Sequence, residues 1–172
     1  MLYVAPVHAQ QHRTYTSLKE IRERGVVMQQ WEASCAAATL ATVLTYGLGD
    51  PVSEAVVVAS MLKKSDSSAV KKQGGFTMLD MKHYVEDRGY IGRAYKHLSL
   101  NDLKAFQAPI VPIDNYGYNH YVVFNGIKDD EVFLADPAFG NRKMRLSQFN
   151  KVWMDGIAFV VTAKGKNDKK PE

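Results

Sequence analysis

The stretch CAAATLATVLTY, residues 35–46, constrains this chain more than any other, because it is apolar almost all round. Ala36, Ala37, Ala38, Leu40, Ala41, Val43 and Leu44 leave it no polar face, and such a helix belongs in the middle of a domain. Ser34 stands where an N-cap is expected, and Gly47 and Gly49 follow as stop signals. The pattern therefore predicts a central helix from about Cys35 to Tyr46. The chain has 172 residues, 46% of them hydrophobic, which suits one domain with a sizeable core around that helix.

The elements on either side are shorter. Residues 17–24, SLKEIRER, read as a surface helix stopped by Gly25, and Ser53 caps a second helix running to Leu62. Residues 63–75, KKSDSSAVKKQGG, read as a polar, flexible loop. Thr77 to Asp87 is an amphipathic helix with Asp80 as its capping-box member, closed by Gly89. Tyr90 to Tyr95 reads as a strand and Leu100 to Phe106 as a short helix. From Pro109 the character changes to strands: PIVPID, HYVVFNGI, VFLADP and a last IAFVVTA. Helices first and antiparallel strands afterwards give an α+β domain, because no crossover helices separate the strands.

Composition removes several function classes. The net charge of +4 is modest, and much of it sits in the final KGKNDKKPE, a run expected from its composition to stay solvated and mobile. No interior segment interleaves basic and aromatic residues in a recognised motif, so no nucleic-acid partner is expected. No stretch reaches the roughly 18 apolar residues of a membrane helix. A single cysteine excludes an intramolecular disulfide framework and a thiolate-clustered zinc site. The histidines, His8, His12, His83, His97 and His120, show no HExxH spacing, so neither a metal nor a cofactor is expected. Val7-His8-Ala9 before Gln10 resembles the end of a secretory signal peptide without its charged start. Export or a periplasmic site is the expectation, with the cytoplasm as the alternative.

The lone thiol sits in a chemically favourable place. In the first turn of a helix, Cys35 meets the positive end of the helix dipole and its unpaired N–H groups, which favour the reactive thiolate. A small buried hydrophobe is the competing reading of the same position. A thiol nucleophile also needs a base, and the base needs an orienting group. His120 begins the HYVVFNGI strand and Asp136 ends the VFLADP strand. By alternation His120, Val122 and Phe124 share a face, as do Val132, Leu134 and Asp136. An odd-numbered turn, 128–130 for example, pairs Val122 with Asp136 and points the histidine and aspartate the same way. A two-residue turn puts them on opposite faces unless a bulge intervenes. Gln29, ahead of the cysteine, supplies an amide donor suited to an oxyanion, and the adjacent Gln30 competes for that assignment.

With these parts in order, the chain resembles the papain-like cysteine peptidases that remove double-glycine leader peptides from bacteriocin precursors. The resemblance rests on VVMQQWEASCAAATLATVLTYGLGD, GYNHYVVFNGI and VFLADPAFGNRKM, and runs from about Gly25 to Val161. GGFTMLDM and DPAFG match two further stretches of the family. The resemblance implies a papain-like fold, with Cys35 as nucleophile, His120 as general base, Asp136 as orienting acid and Gln29 in the oxyanion hole. Ala36 stands where the family usually has glycine. Being small and a good helix former, it is expected to leave catalysis intact. Family members are commonly the N-terminal part of a membrane transporter with an ATPase domain, neither of which this chain contains. A stand-alone domain is therefore the expectation.

The resulting organisation is an N-terminal extension over 1–24, a peptidase domain over 25–163 and a basic tail over 164–172. The leading expectation is a thiol peptidase that cleaves after small residues such as glycine in a leader or flexible segment. Its partner is then a peptide or protein substrate, with an export system as a further candidate. A papain-like acyltransferase or amidase, and a non-catalytic peptide-binding module, are the alternatives. Trp31 and Trp153 are expected to anchor core edges, His83 to be a packing or surface residue, and His97 to be solvated.

Overall fold

Six strands form a single antiparallel sheet in the order β1-β6-β2-β3-β4-β5, and helices cover both of its faces. The structure, a computed structural model, describes residues 16–165. The signal-like Val7-His8-Ala9 and residues 166–172 of the basic tail lie outside the described residues. The strands are β1 (Tyr90–Tyr95), β2 (Ile110–Asn115), β3 (Tyr118–Lys128), β4 (Glu131–Asp136), β5 (Gly140–Arg145) and β6 (Ala158–Ala163). β2 to β5 run as a meander, and β6 inserts between β1 and β2.

The helices are α1 (Leu18–Glu23), α2 (Cys35–Thr42), α3 (Glu54–Leu62), α4 (Ser67–Lys72), α5 (Met78–Asp87), α6 (Leu100–Ala105) and α7 (Leu146–Val152). Every residue of α2 is buried, as its all-round apolar character requires. Its two threonines are accommodated because each hydroxyl bonds back to the preceding turn, Thr39 to Cys35 O and Thr42 to Ala38 O, both at 2.9 Å. The helix does not run on as α to Tyr46. Over Val43–Gly47 it widens into a π turn, with Leu48 N–H donating to Val43 O.

One core joins α2, α3 and α5 to the sheet through residues such as Leu40, Leu44, Val57, Met81, Val123 and Phe159. A second lies on the opposite face, where Leu103 of α6 and Phe149 of α7 pack with Val122, Phe124 and Leu134. The alternation along β3 is what separates the two. Trp153 belongs to the second core: it stacks on Phe149 and donates its indole N–H to Ile157 O at 2.7 Å. Trp31, by contrast, anchors no core edge and is half exposed. His83 and His97 are exposed, as expected.

The α+β class holds, and the differences are local. Residues 63–75 are not all loop, since Asp66 caps α4 by accepting the Ser68 N–H. Only Val70 of that helix is buried, so the segment carries no apolar period to read. β5 is a charged edge strand, GNRKMR, without the apolar alternation that marks a half-buried strand. Among the described residues, no helix is long and apolar enough to cross a membrane.

Candidate active site

The segment leading into α2 is pinned to three different elements. Val27 N–H donates to Thr42 Oγ1 at 2.9 Å, Gln29 N–H to Pro137 O at 2.8 Å, and Gln30 N–H to both carboxylate oxygens of Glu54. These bonds hold residues 26–30 extended between the helix layer and the end of β4. Gln29 consequently lines the cleft beside Cys35, whereas the Gln30 side chain is exposed and does not. The Gln29 amide is turned so that Nε2 donates to Trp31 O at 3.1 Å while Oε1 is buried without a partner. One N–H of that amide is thus engaged, and the second is free to serve a ligand.

Cys35 is the first residue of α2 and is buried. Ser34 occupies the N-cap position but does not act as the cap expected of it. Its hydroxyl instead donates to Trp31 O at 2.7 Å, because its backbone (φ −106°, ψ 10°) turns the side chain toward the preceding turn. The first N–H groups of α2 are therefore left without a capping side chain, next to the sulfur.

His120 and Asp136 are brought together by a register detail. The β3–β4 turn holds two residues, Asp129 and Asp130, both at positive φ, with Lys128 opposite Glu131. That is not the odd-numbered turn taken as the example, and alone it would turn His120 and Asp136 to opposite faces. A bulge between Phe124 and Gly126 restores the parity: past it Val123 faces Ala135, and Val122 accordingly stands level with Asp136. His120 and Asp136 are then diagonal neighbours on one face. Their side chains meet at 2.8 Å, His120 Nε2 to Asp136 Oδ1. With Nε2 so engaged, Nδ1 is the ring nitrogen left over, and Cys35 lines the same cleft as His120.

Asp136 has no exposed surface. Its Oδ1 also accepts the Ala138 N–H at 2.9 Å, closing an Asx turn at the Asp-Pro step. Its Oδ2 lies 2.8 Å from Arg142 Nε, an ionic approach in which neither atom makes a directed hydrogen bond. Burial pushes the Asp136 carboxyl up, but the hydrogen bond and charge of His120, the charge of Arg142 and the Ala138 N–H hold it below 3.8. For His120, burial acts to lower the imidazole. The hydrogen bonds to Asp136 and Cys35 and their charges prevail, raising it from 6.5 to about 9.

A polar cleft of about 570 Å³ opens onto these groups, walled by Gln29, Glu32, Gln73, Tyr118, Asn119 and Phe139 as well as Cys35 and His120. A thiol in one cleft with an imidazole that is bonded to a carboxylate can generate a nucleophile and shuttle its proton. Two residues of the site went unread in the sequence. Arg142 was hidden by the charged edge strand, although pairing NRKM against VFLAD places it diagonal to Asp136. Glu54, directly after its cap Ser53, resembles an ordinary first-turn acid.

A family model described as Peptidase C39 family matches residues 23–166. Over 161 residues the chain is 38% identical to "Probable functional amyloid protease FapD" of Pseudomonas aeruginosa, an alignment covering 91% of this chain and 70% of that one. Among solved structures, the peptidase domain of Streptococcus ComA, a bi-functional ABC transporter involved in a quorum sensing pathway, superposes with a TM-score of 0.66. It is 23% identical and covers 81% of this chain and 98% of that one, a likeness of fold. A double glycine motif protease from an AMS/PCAT transporter, solved in complex with the leader peptide, gives 0.64 at 26% identity, covering 81% of this chain and 91% of that one. These likenesses bear out the papain-like α+β fold expected from the sequence.

Proposed function

The chain belongs to the Peptidase C39 family and is a cysteine-type peptidase, and from that premise we propose that Cys35, His120, Asp136 and Gln29 carry the cleavage. The observation that carries the reading is the buried His120–Asp136 hydrogen bond set in one cleft with Cys35 at the start of α2. His120 takes the thiol proton, and the thiolate attacks the scissile carbonyl carbon. The developing oxyanion is met by the Cys35 backbone N–H and the Gln29 amide, which lines the cleft and keeps one N–H unengaged. His120 then protonates the departing amine as the tetrahedral intermediate collapses to a thioester. Water, deprotonated by the same ring, hydrolyses the thioester and restores the thiol. Asp136 keeps the ring oriented and stabilises its charged form throughout.

The substrate is a flexible peptide segment with small residues before the scissile bond. Two things support this: the likeness to a double glycine motif protease solved with its leader peptide, and a cleft at Cys35 whose lining includes Gly74 and Gly117. The name borne by the FapD relative adds segments of functional amyloid components to the candidates. The test is a cleavage screen on an internally quenched peptide library, comparing the parent with Cys35→Ala. Cleavage after glycine by the parent and none by the variant is expected. Turnover that persists in Cys35→Ala overturns the assignment.

A further inference from the structure

Strand register places three charged or ionisable side chains in a row across β3, β4 and β5. Asp136 lies opposite Gly140, so Arg142, two residues on, is its diagonal neighbour on the same face. On the other side the Val123–Ala135 pairing makes His120 the opposite diagonal neighbour. The carboxylate therefore sits between an imidazole and a guanidinium, with Oδ1 toward the first and Oδ2 toward the second. Arg142 is itself steadied by Phe139 in the cleft wall, whose ring lies 5.4 Å from the guanidinium carbon.

We propose that Arg142 is a positioning residue for the reaction: it holds Oδ2 of Asp136, fixes the plane of the carboxylate and so sets the direction from which Oδ1 meets His120. The proposal rests on the roles given to Cys35, His120 and Asp136 above. A carboxylate with no exposed surface draws no help from bulk water, so its orientation and charge depend on the groups packed against it. Ala138 N–H and His120 both act on Oδ1, and neither stops the carboxylate from tilting about that atom. Contact at Oδ2 does. The charge count points the same way: with the thiolate and imidazolium formed, Cys35, His120 and Asp136 sum to one negative charge, and Arg142 neutralises the row. No neighbour substitutes for it, because Lys143, next along β5, is engaged by Glu131 at 2.7 Å. Among the described residues, Asp136 is the acid within ion-pair distance of Arg142.

An ion pair that merely stapled β4 to β5 would affect stability and nothing else, so the test reads the acid limb of catalysis. The kcat/KM–pH profile is measured for the parent, Arg142→Met and Arg142→Lys on an internally quenched peptide with two glycines before the scissile bond. In Arg142→Met the acid limb is expected to move up by about one pH unit. Its kcat near neutrality falls about tenfold while KM stays within about twofold. Arg142→Lys keeps the charge but not the span of the guanidinium, so the limb stays near that of the parent while kcat drops. Carbon-13 NMR of the Asp136 carboxyl needs no substrate and is expected to show the same upward shift in Arg142→Met. Should that variant fail to fold, Arg142→Lys decides, and an unchanged kcat there overturns the proposal. An unmoved limb and an unmoved carboxyl titration in a folded Arg142→Met overturn it too, with cleavage by Cys35 left standing. Turnover surviving in Cys35→Ala overturns both readings together.

Discussion

His120 Nε2 and Asp136 Oδ1 lie 2.8 Å apart because Asn125 is left out of the β3–β4 pairing. Strand alternation makes this contact all-or-none, since a shift of one residue would send the two side chains to opposite faces. Gly126, beside the bulge, has φ +129°, a conformation other residues adopt only with strain. Gly126→Ala is therefore expected to destabilise the fold by about 1–2 kcal/mol and to lower kcat more than KM. A thermal melt and a steady-state assay check it; an unaltered kcat would mean that the bulge does not set the His120–Asp136 geometry.

Substitutions within the site should have unequal effects. Cys35→Ala abolishes turnover, and Gln29→Ala lowers kcat by about 10²-fold or more, because a donor is lost from the transition state. Asp136→Asn retains the shape but not the charge, and gives a partial loss. Affinity for an uncleaved peptide changes little in the Cys35 and Gln29 variants. One assay of the parent and these variants, with a binding measurement beside it, checks the order.

The neighbouring glutamines should differ sharply. The exposed Gln30 side chain reaches nothing in the cleft, so Gln30→Ala leaves kcat within about twofold. Its backbone matters more, since both oxygens of buried Glu54 accept the Gln30 N–H, at 3.0 and 3.1 Å. Glu54→Ala strips that N–H of its partner and costs about 1–3 kcal/mol of stability. It also loosens the segment that presents Gln29, so kcat falls. Equal behaviour of Gln29→Ala and Gln30→Ala would contradict the assignment.

Stability should carry the signature of the buried pair. The imidazole of His120 is raised from 6.5 to about 9, so its contribution is complete below about pH 6.5 and lost as pH rises through about 9. The Asp136 carboxyl is held below 3.8, so its contribution is complete above that value and lost on further acidification. The stability difference between parent and His120→Asn should therefore shrink steadily from pH 6.5 to pH 9. Urea melts across that range check it, and a difference that grew with pH would contradict the pairing.

Gly140 should be intolerant of any side chain. Its φ is +76°, and a Cβ there would stand 2.6 Å from the carbonyl oxygen of Arg22 on α1. Gly140→Ala is expected to cost about 2 kcal/mol or more and to undock α1 from β5. Hydrogen exchange in α1 reports the undocking, and unchanged protection there would argue against it.

How much of this was legible in the chain depended on whether burial left a period behind. α2 announced itself because all its residues are apolar or able to bond their own backbone. α5 did so through its stripe and the Thr77–Asp80 capping box. α4 and β5 left no period, since one buries a single residue and the other is a charged edge. The parity of His120 and Asp136 was readable as a condition, but the bulge that meets it was not, because Asn125-Gly126 also reads as a turn signal. Ser34 misled for a simpler reason: residue type predicts a cap, while the hydroxyl follows its own backbone angles to Trp31.

The bond from Gln29 N–H to Pro137 O joins the two halves of the site across most of the domain. A ribosome emits Cys35 early and Asp136 late, so for much of synthesis the thiol lacks the two partners proposed for it. The proposed site is complete only with β3 and β4 paired in the register the bulge sets and packed on the helices. Under the proposed roles, long-range order of this kind ties reactivity to the completed fold rather than to any local segment of the chain.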